Sequence, residues 1–380
     1  MKPRLIPIKE HTGWQSEQLF TDGDHFFAEL LHDINAANHS IDMNFYIVEL
    51  DQLGTRIIGA LAAARQRGVR VRFLMDGVGS AYHARQIATL LSEADCEVRI
   101  FHPLPFTPWL FKWSIVQGNI LQKLSFFLLN INQRNHYKLC IIDQQHIWSG
   151  SFNISARHLS TSQGGDNWRD YGVKLTDNHT EDIQCCFDTL WGSANQRPAL
   201  SRLHKFRANL SIPMRKFHNR LMLYRIRHAN QRIWICNAYF APSKAAIKTL
   251  IQAGKNGVDV RLILPSRSDV LLFPAISQTY YRQLLKHGIK IHEYQPRLLH
   301  AKVMLLDDKC WIGSTNMNHR SFYHDMELDL VLDKPETIER ISKELQKDMA
   351  NAVQIDLEHL KHWSFRLFFA RFLRLFRYWL

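Results

Sequence analysis

The 380 residues carry 46% apolar and 22% charged side chains, with only 17 glycines and 12 prolines, which excludes disorder and collagen-like repeats and supplies a large core. Lysine and arginine exceed the acids by 13, so a phosphate-rich partner is expected, either an anionic membrane surface or a nucleic acid. The six cysteines show neither metal-site spacing nor the density of a disulfide framework, which points to reduced thiols.

Met1 to Phe20 holds Pro3, Pro7 and several charges but no apolar run of signal-peptide length. No stretch reaches the roughly 18 apolar residues of a spanning helix, so any contact with a membrane is expected from one side. Further along, the chain repeats itself. Gly68-Val-Arg-Val-Arg-Phe-Leu-Met75 recurs as Gly257-Val-Asp-Val-Arg-Leu-Ile-Leu264; Ala37-Asn38 and Ile41 recur as Ala229-Asn230 and Ile233; Phe101 and Pro103 recur as Tyr294 and Pro296. In each copy a helix-like stretch ends near glycine and a β-branched run follows. The expected fold is therefore α/β and doubled, each half a mixed sheet flanked by helices. The halves are expected over 20–200 and 233–350, with 201–232 as a basic connecting stretch running into the second half.

Pro103 stands 33 residues before His136, whereas Pro296 stands 4 before His300, so the first half carries 29 extra residues, at about 104–133. This insert mixes Phe106, Trp109, Phe111, Trp113, Phe126 and Phe127 with Lys112 and Lys123. Two readings stand: a packed excursion over the core, or an interfacial flap.

At matched places stand His136-Tyr-Lys138-x4-Asp143 and His300-Ala-Lys302-x4-Asp307. In a strand, residues two apart share a face, so imidazole and ammonium can meet one ligand. Each motif is followed by a second, Gly150-Ser151-Phe-Asn153 and Gly313-Ser314-Thr-Asn316, whose Ser and Asn could offer hydroxyl and amide groups to phosphate oxygens. A metal site is disfavoured, because the accompanying lysine has no lone pair and repels a cation. No metal and no cofactor is expected. An attacking imidazole needs an acceptor on its other nitrogen, and Asp170 and Glu327, at comparable distances after the two histidines, are the candidates. Asp143 and Asp307 end apolar strands and are expected to fix the motif through turn backbone.

Between Thr189 and Val258 there are 13 basic residues and no acid, which reads as a surface for anionic headgroups or a nucleic-acid backbone. Residues 356–380 read as a basic amphipathic helix. Arg366, Arg371, Arg374 and Arg377 fall in one arc at about 100° per residue, and Phe369, Phe372, Phe376 and Trp379 fall opposite, as in a helix lying in an anionic interface.

The paired His-x-Lys-x4-Asp motifs resemble those of the phospholipase D superfamily and, within it, bacterial cardiolipin synthases. The resemblance extends to Asp76-Gly-Val-Gly-Ser80, Trp168-Arg169-Asp170, Tyr239-Phe-Ala-Pro242 and Asn316-Met-Asn318-His-Arg320-Ser321. It implies two halves related by a pseudo-twofold with the active site between them. It implies further a phosphatidyltransferase, mostly metal-free in this superfamily, that joins two phospholipids through a phosphohistidine, with phosphatidylglycerol becoming cardiolipin as glycerol leaves. His136 is then the nucleophile and His300 the acid. Lys138, Lys302, Asn153 and Asn316 hold the non-bridging oxygens, with Ser151 and Ser314 beside them. The partners implied are phospholipid substrates and an anionic membrane, met peripherally on its cytoplasmic face. A phospholipase D hydrolase or a nuclease is the alternative, with nucleic acid the less favoured partner. A catalytically dead membrane-binding protein is disfavoured because both motifs are intact.

Overall fold

The computed structural model describes residues 11–192 and 204–362. In the first half, β1 (Ser16–Phe20), α1 (Gly23–Ala36), β2 (Ser40–Phe45), α2 (Gln52–Gln66), β3 (Arg70–Asp76), α3 (Ala84–Glu93) and β4 (Glu97–Phe101) follow in order. The insert then carries α4 (Ile120–Leu129), and an antiparallel run, β5 (Lys138–Ile142), β6 (His146–Gly150) and β7 (Gly172–Thr176), leads to α5 (Glu181–Trp191). The second half repeats the plan with β8 (Phe206–Ala208), α6 (Ile212–Arg227), β9 (Arg232–Asn237), α7 (Lys244–Lys255), β10 (Asp259–Pro265), α8 (Phe273–Leu285) and β11 (Lys290–Tyr294). It closes with β12 (Lys302–Leu306), β13 (Lys309–Gly313), α9 (His319–Tyr323), β14 (Leu328–Leu332), α10 (Pro335–Ala350) and the added β15 (Ala352–Ile355). The strand orders, β1-β7-β6-β5-β2-β3-β4 and β15-β11-β10-β9-β12-β13-β14-β8, match element for element once β15 is set aside.

Local chemistry explains the shared plan. Asp22 and Asp51 start α1 and α2, each carboxylate accepting from a backbone N–H three residues on at 2.9 Å. Gly68 and Gly257 turn the chain from helix to strand at φ +92° and +86°, a conformation glycine adopts without a Cβ penalty. Gly150 and Gly313 answer a different need: a Cβ there would lie 2.4 Å from Tyr171 O and 2.1 Å from Leu328 O. The neighbouring strand leaves no room for a side chain.

The two sheets face each other through Leu139, Ile147 and Val173 on one side and Val303, Ile312 and Leu330 on the other. Helices α1 to α3 cover the outer face of the first sheet, and α6 to α8 that of the second. Because both faces are buried, β3 and β10 read as near-continuous apolar runs rather than alternating ones.

The basic stretch expected to run into the second half supplies, over its described residues 204–232, the first elements of that half. Strand β8 pairs with β14 as β1 pairs with β7, and α6 stands where α1 stands. Its basic residues are in part structural. Arg207 pairs with Asp329 at 3.5 Å, Arg215 donates to the carbonyls of Tyr323 and His324 at 2.8 and 2.6 Å, and the Arg225 guanidinium lies 4.8 Å from the Trp311 ring centre. All three are buried, while Lys216, Arg220 and Arg227 remain exposed. The headgroup surface expected there is accordingly reduced, since buried guanidinium groups satisfy carbonyls and carboxylates of the fold. Among the described residues no helix is long and apolar enough to cross a membrane. The membrane-facing candidates Arg366, Phe369, Arg371, Phe372, Arg374, Phe376, Arg377 and Trp379 lie outside the described residues.

Candidate active site

Each motif histidine sits just before the central strand of its half, β5 or β12, and is fixed there by the other half. His136 N–H donates to Met326 O at 2.9 Å and Met326 N–H to Arg134 O at 2.8 Å; His300 N–H donates to Arg169 O at 2.9 Å and Arg169 N–H to Leu298 O at 2.8 Å. These two short ladders cross the interface in opposite directions. Glu327, beside Met326, is thereby delivered to His136, and Asp170, beside Arg169, to His300. The His136 Nδ1 to Glu327 Oε2 and His300 Nδ1 to Asp170 Oδ1 distances are both 3.0 Å. The two candidate carboxylates do meet the two histidines, each across the interface.

The same contacts set the ring protons. His136 Nδ1 also lies 3.1 Å from Ser314 O, and a carbonyl can only accept, so Nδ1 carries the proton and Nε2 keeps its lone pair. Both imidazoles line one cavity of about 320 Å3, together with Asn153, Asn316, Tyr46 and Tyr239. Lys138 and Lys302 lie behind that lining. Each ammonium donates back to the carbonyl of its own motif histidine, and each lies over a cavity tyrosine, Tyr46 at 5.4 Å and Tyr239 at 5.7 Å.

The chain matches the family model described as cardiolipin synthase, PLD-like domain, over residues 30–191 and 222–349. It belongs to that family. Cardiolipin synthase 1 of Bacillus anthracis is 30% identical over 359 residues, covering 89% of this chain and 67% of the relative. Cardiolipin synthase 2 of the same organism is 32% identical over 355 residues, covering 89% and 65%. The chain thus spans about two thirds of the length of these relatives. Phosphatidylserine synthase of Haemophilus influenzae shares the fold with a TM-score of 0.69 at 13% identity, over 96% of this chain and 95% of that one. Polyphosphate kinase of Porphyromonas gingivalis does so at 0.62 and 15%, over 90% and 49%. The protein is a phosphatidyltransferase of the phospholipase D superfamily.

Several residues of this cardiolipin synthase-family site differ from expectation. The Ser151 and Ser314 hydroxyls do not face the cavity. Ser151 Oγ donates to Tyr171 O at 3.2 Å and accepts from Tyr171 N–H at 3.1 Å, while Ser314 Oγ donates to Glu327 and accepts from Leu328 N–H at 3.0 Å. They stitch the close strand approach that the preceding glycine permits. Asp143 and Asp307 stand at the far ends of their strands, each accepting three successive backbone N–H groups, from Asn38 to Ser40 and from Asn230 to Arg232 at 2.8–3.0 Å. They hold turn backbone, and neither lines the cavity.

Four residues without an assigned role also belong to the site. Arg157 and Arg320 line the cavity, balanced by Glu49 at 3.0 Å and Asp325 at 2.9 Å. The next residues, His158 and Ser321, occupy equivalent posts: Asn153 N–H donates to His158 Nε2 and Asn316 N–H to Ser321 Oγ, both at 3.1 Å. The spacing Asn-x3-Arg, present in both halves, was the available signal. Because His158 Nε2 accepts, its Nδ1 carries the proton, 2.8 Å from Asp170 Oδ2. A protonated nitrogen is no metal ligand, so in this state the His158, Asp170 and His300 cluster is two imidazoles set against one carboxylate.

Burial dominates the electrostatics. Burial, then the charges of Lys138 and Lys302, hold His136 well below the usual histidine range; burial and Lys302 lower His300, opposed by Asp170. Lys138 falls to about 7 and Lys302 to about 8, mainly through burial. Asp170 is buried too, but His300 and His158 overcome that cost and hold it well below the usual carboxylate range. Glu327 is pushed up to about 7, because burial outweighs the hydroxyls of Ser314 and Ser321.

Proposed function

We propose that the enzyme transfers a phosphatidyl group from one phosphatidylglycerol to the free glycerol hydroxyl of another, through a phosphohistidine on His136. The observation that carries the reading is that two imidazoles line one cavity, each paired with a carboxylate from the other half. In-line displacement at phosphorus has an entering and a leaving end, and this arrangement supplies a nitrogen for each. His136 Nε2 forms a bond to phosphorus as the P–O bond to glycerol breaks, and His300 Nε2 gives its proton to the departing alkoxide. In the second step His300 takes the proton from the acceptor hydroxyl, whose oxygen bonds phosphorus as the N–P bond breaks. The proton inventory closes over the two steps.

Lys138 and Lys302 supply positive potential behind the cavity, and the Asn153 and Asn316 amides line it, where charge grows on the non-bridging oxygens. A phosphodiester anion entering the cavity raises the proton affinity of both imidazoles and both amines, opposing the shift that burial imposes. Transfer outruns hydrolysis when the acceptor hydroxyl is held near phosphorus and water is kept scarce. Lipid substrates place the enzyme at a membrane surface, which its excess of basic residues favours on anionic bilayers.

The test is to incubate the purified full chain with phosphatidylglycerol labelled in the glycerol headgroup, with and without phosphatidylethanolamine. Cardiolipin and free glycerol in equal amounts are expected. Phosphatidic acid as the sole lipid product would make the enzyme a hydrolase, and no lipid product at all would overturn the reading.

A further inference from the structure

Helix α4 presents a partly unburied apolar surface. Leu121 and Leu129 are 72% and 86% exposed, Ile120 and Leu128 are exposed beside them, and Phe106 and Trp109 stand exposed earlier in the insert. The helix is nonetheless held in place. Asn119 and Gln122 form a reciprocal capping box, Phe127 is buried with its ring 5.0 Å from that of Phe111, and the Lys123 ammonium donates to Phe111 O at 2.7 Å. The inner face satisfies the packed reading of the insert and leaves the outer leucines unused.

The insert ends at the cavity. Arg320, a cavity residue, reaches back to Asn132 O at 3.4 Å, and His136 follows four residues later. The second half also brings an apolar edge to the cavity: Val270 lines it, and the next residue, Leu271, is 80% exposed with Leu272 exposed beside it. Charge complements this surface. From Val98 to Ile142 there is no acid, while Lys112 is exposed and Arg99 and Lys123 are half-buried within the span.

We infer that α4 and the Val270–Leu272 loop are two apolar lips that seat the cavity mouth in the outer layer of an anionic phospholipid leaflet. The inference deepens the proposed function, on which its choice of occupant rests. A ten-residue helix is about 15 Å long, and its outer strip falls short of the roughly 800 Å2 per partner that a stable protein contact takes. Lipid imposes no such threshold: each leucine that enters the acyl boundary contributes on its own, and basic residues nearby add attraction to anionic headgroups. Seating the mouth this way lets a phospholipid headgroup reach the histidines while its chains remain in lipid.

The test uses the full chain in two variants, Leu121→Gln/Leu128→Gln/Leu129→Gln and, separately, Leu271→Gln; these side chains are exposed, and circular dichroism checks the fold. On vesicles of phosphatidylglycerol and phosphatidylethanolamine, the lipid concentration for half-maximal rate should rise roughly tenfold in the triple variant and less in the single one. The rate on monodisperse short-chain phosphatidylglycerol should be unchanged. In the parent, anionic vesicles should slow amide exchange over 119–131 and 270–273. Unaltered vesicle dependence, equal losses on both substrates, or no exchange protection in these segments would overturn the inference. So would a lipid-free dimer that the triple variant converts to monomer, since α4 would then face a second copy. If the parent makes no product from either substrate, the proposed function fails by itself, and vesicle-dependent exchange still decides the lips.

Discussion

The two halves share strand order, motif and backbone anchoring, yet they treat their carboxylates in opposite ways. Asp170 lies between two imidazoles, His300 and His158, and is held as an anion. Glu327 lies between two hydroxyls, Ser314 and Ser321, and is pushed up to about 7. Three things differ: the carboxylate itself, the residue after the cavity arginine, His158 in one half and Ser321 in the other, and the motif serine, since Ser314 donates to Glu327 whereas Ser151 donates to Tyr171 O. Two similar scaffolds thus surround their carboxylates differently, and the proposed division of roles rests on that difference. A firmly ionised Asp170 stabilises positive charge on His300, which suits the acid. Glu327, sharing a proton near neutrality, stabilises an imidazolium less and leaves His136 neutral with its lone pair free, which suits the nucleophile.

The largest effect should come from the histidines themselves. His136→Ala and His300→Ala are each expected to lower turnover on natural lipids by about 10^4-fold or more. The comparison sharpens with a donor whose leaving group needs no proton, such as a nitrophenyl phosphodiester. His300→Ala should then accumulate an acid-labile phosphoryl adduct on His136, visible by mass, and His136→Ala should form none. The opposite labelling would reverse the division of roles. Next come the carboxylates, at about 10^2- to 10^3-fold each. If the pairing crosses as seen, Asp170→Asn should be rescued by the nitrophenyl donor as His300→Ala is, and Glu327→Gln should not. Rescue of Glu327→Gln instead would break the assignment.

His158→Phe should lower kcat about tenfold with KM little changed, the cost of roughly one hydrogen bond, while His158→Gln, which keeps a donor, recovers most of it. A uniform loss in both variants would reduce His158 to packing. The lysines set a pH limit. Their pKa values are depressed to about 7 and about 8, so the charged forms prevail at lower pH and are lost as pH rises through those values. Affinity of the free enzyme for a non-reactive phosphodiester, measured by calorimetry, should fall accordingly above about pH 7; constant affinity to pH 9.5 would show that the ammonium charges do not govern binding. The smallest catalytic effect belongs to the motif aspartates. Asp143→Ala or Asp307→Ala removes three backbone hydrogen bonds at a turn and should cost about 1–2 kcal/mol in denaturant unfolding, with kcat within about threefold of the parent. A catalytic loss like that of the histidines would refute their purely structural place.

The outer strip of α4 and the interior of the same insert differ in a way that hydrophobicity alone did not reveal. Phe111 and Phe127 are buried, whereas Trp109 and Leu129 are exposed, although all four are apolar and close in sequence. Which face of a short helix turns inward depends on what the rest of the fold places beneath it.

By itself the sequence determined the doubling, the α/β layering, the insert and the residues of both motifs. These are local or periodic properties: a glycine ending a helix, His and Lys two apart on one strand face, an apolar run covered on both sides. Only the tertiary structure decided that Glu327 serves His136 across 191 positions and Asp170 serves His300 across 130. It likewise decided that the Ser151 and Ser314 hydroxyls turn to strand neighbours and Glu327, and that residues 206–227 open the second half with some of their arginines turned inward. No spacing rule encodes contacts of that range, because they follow from how two finished sheets pack face to face and which loop ends their edges bring together.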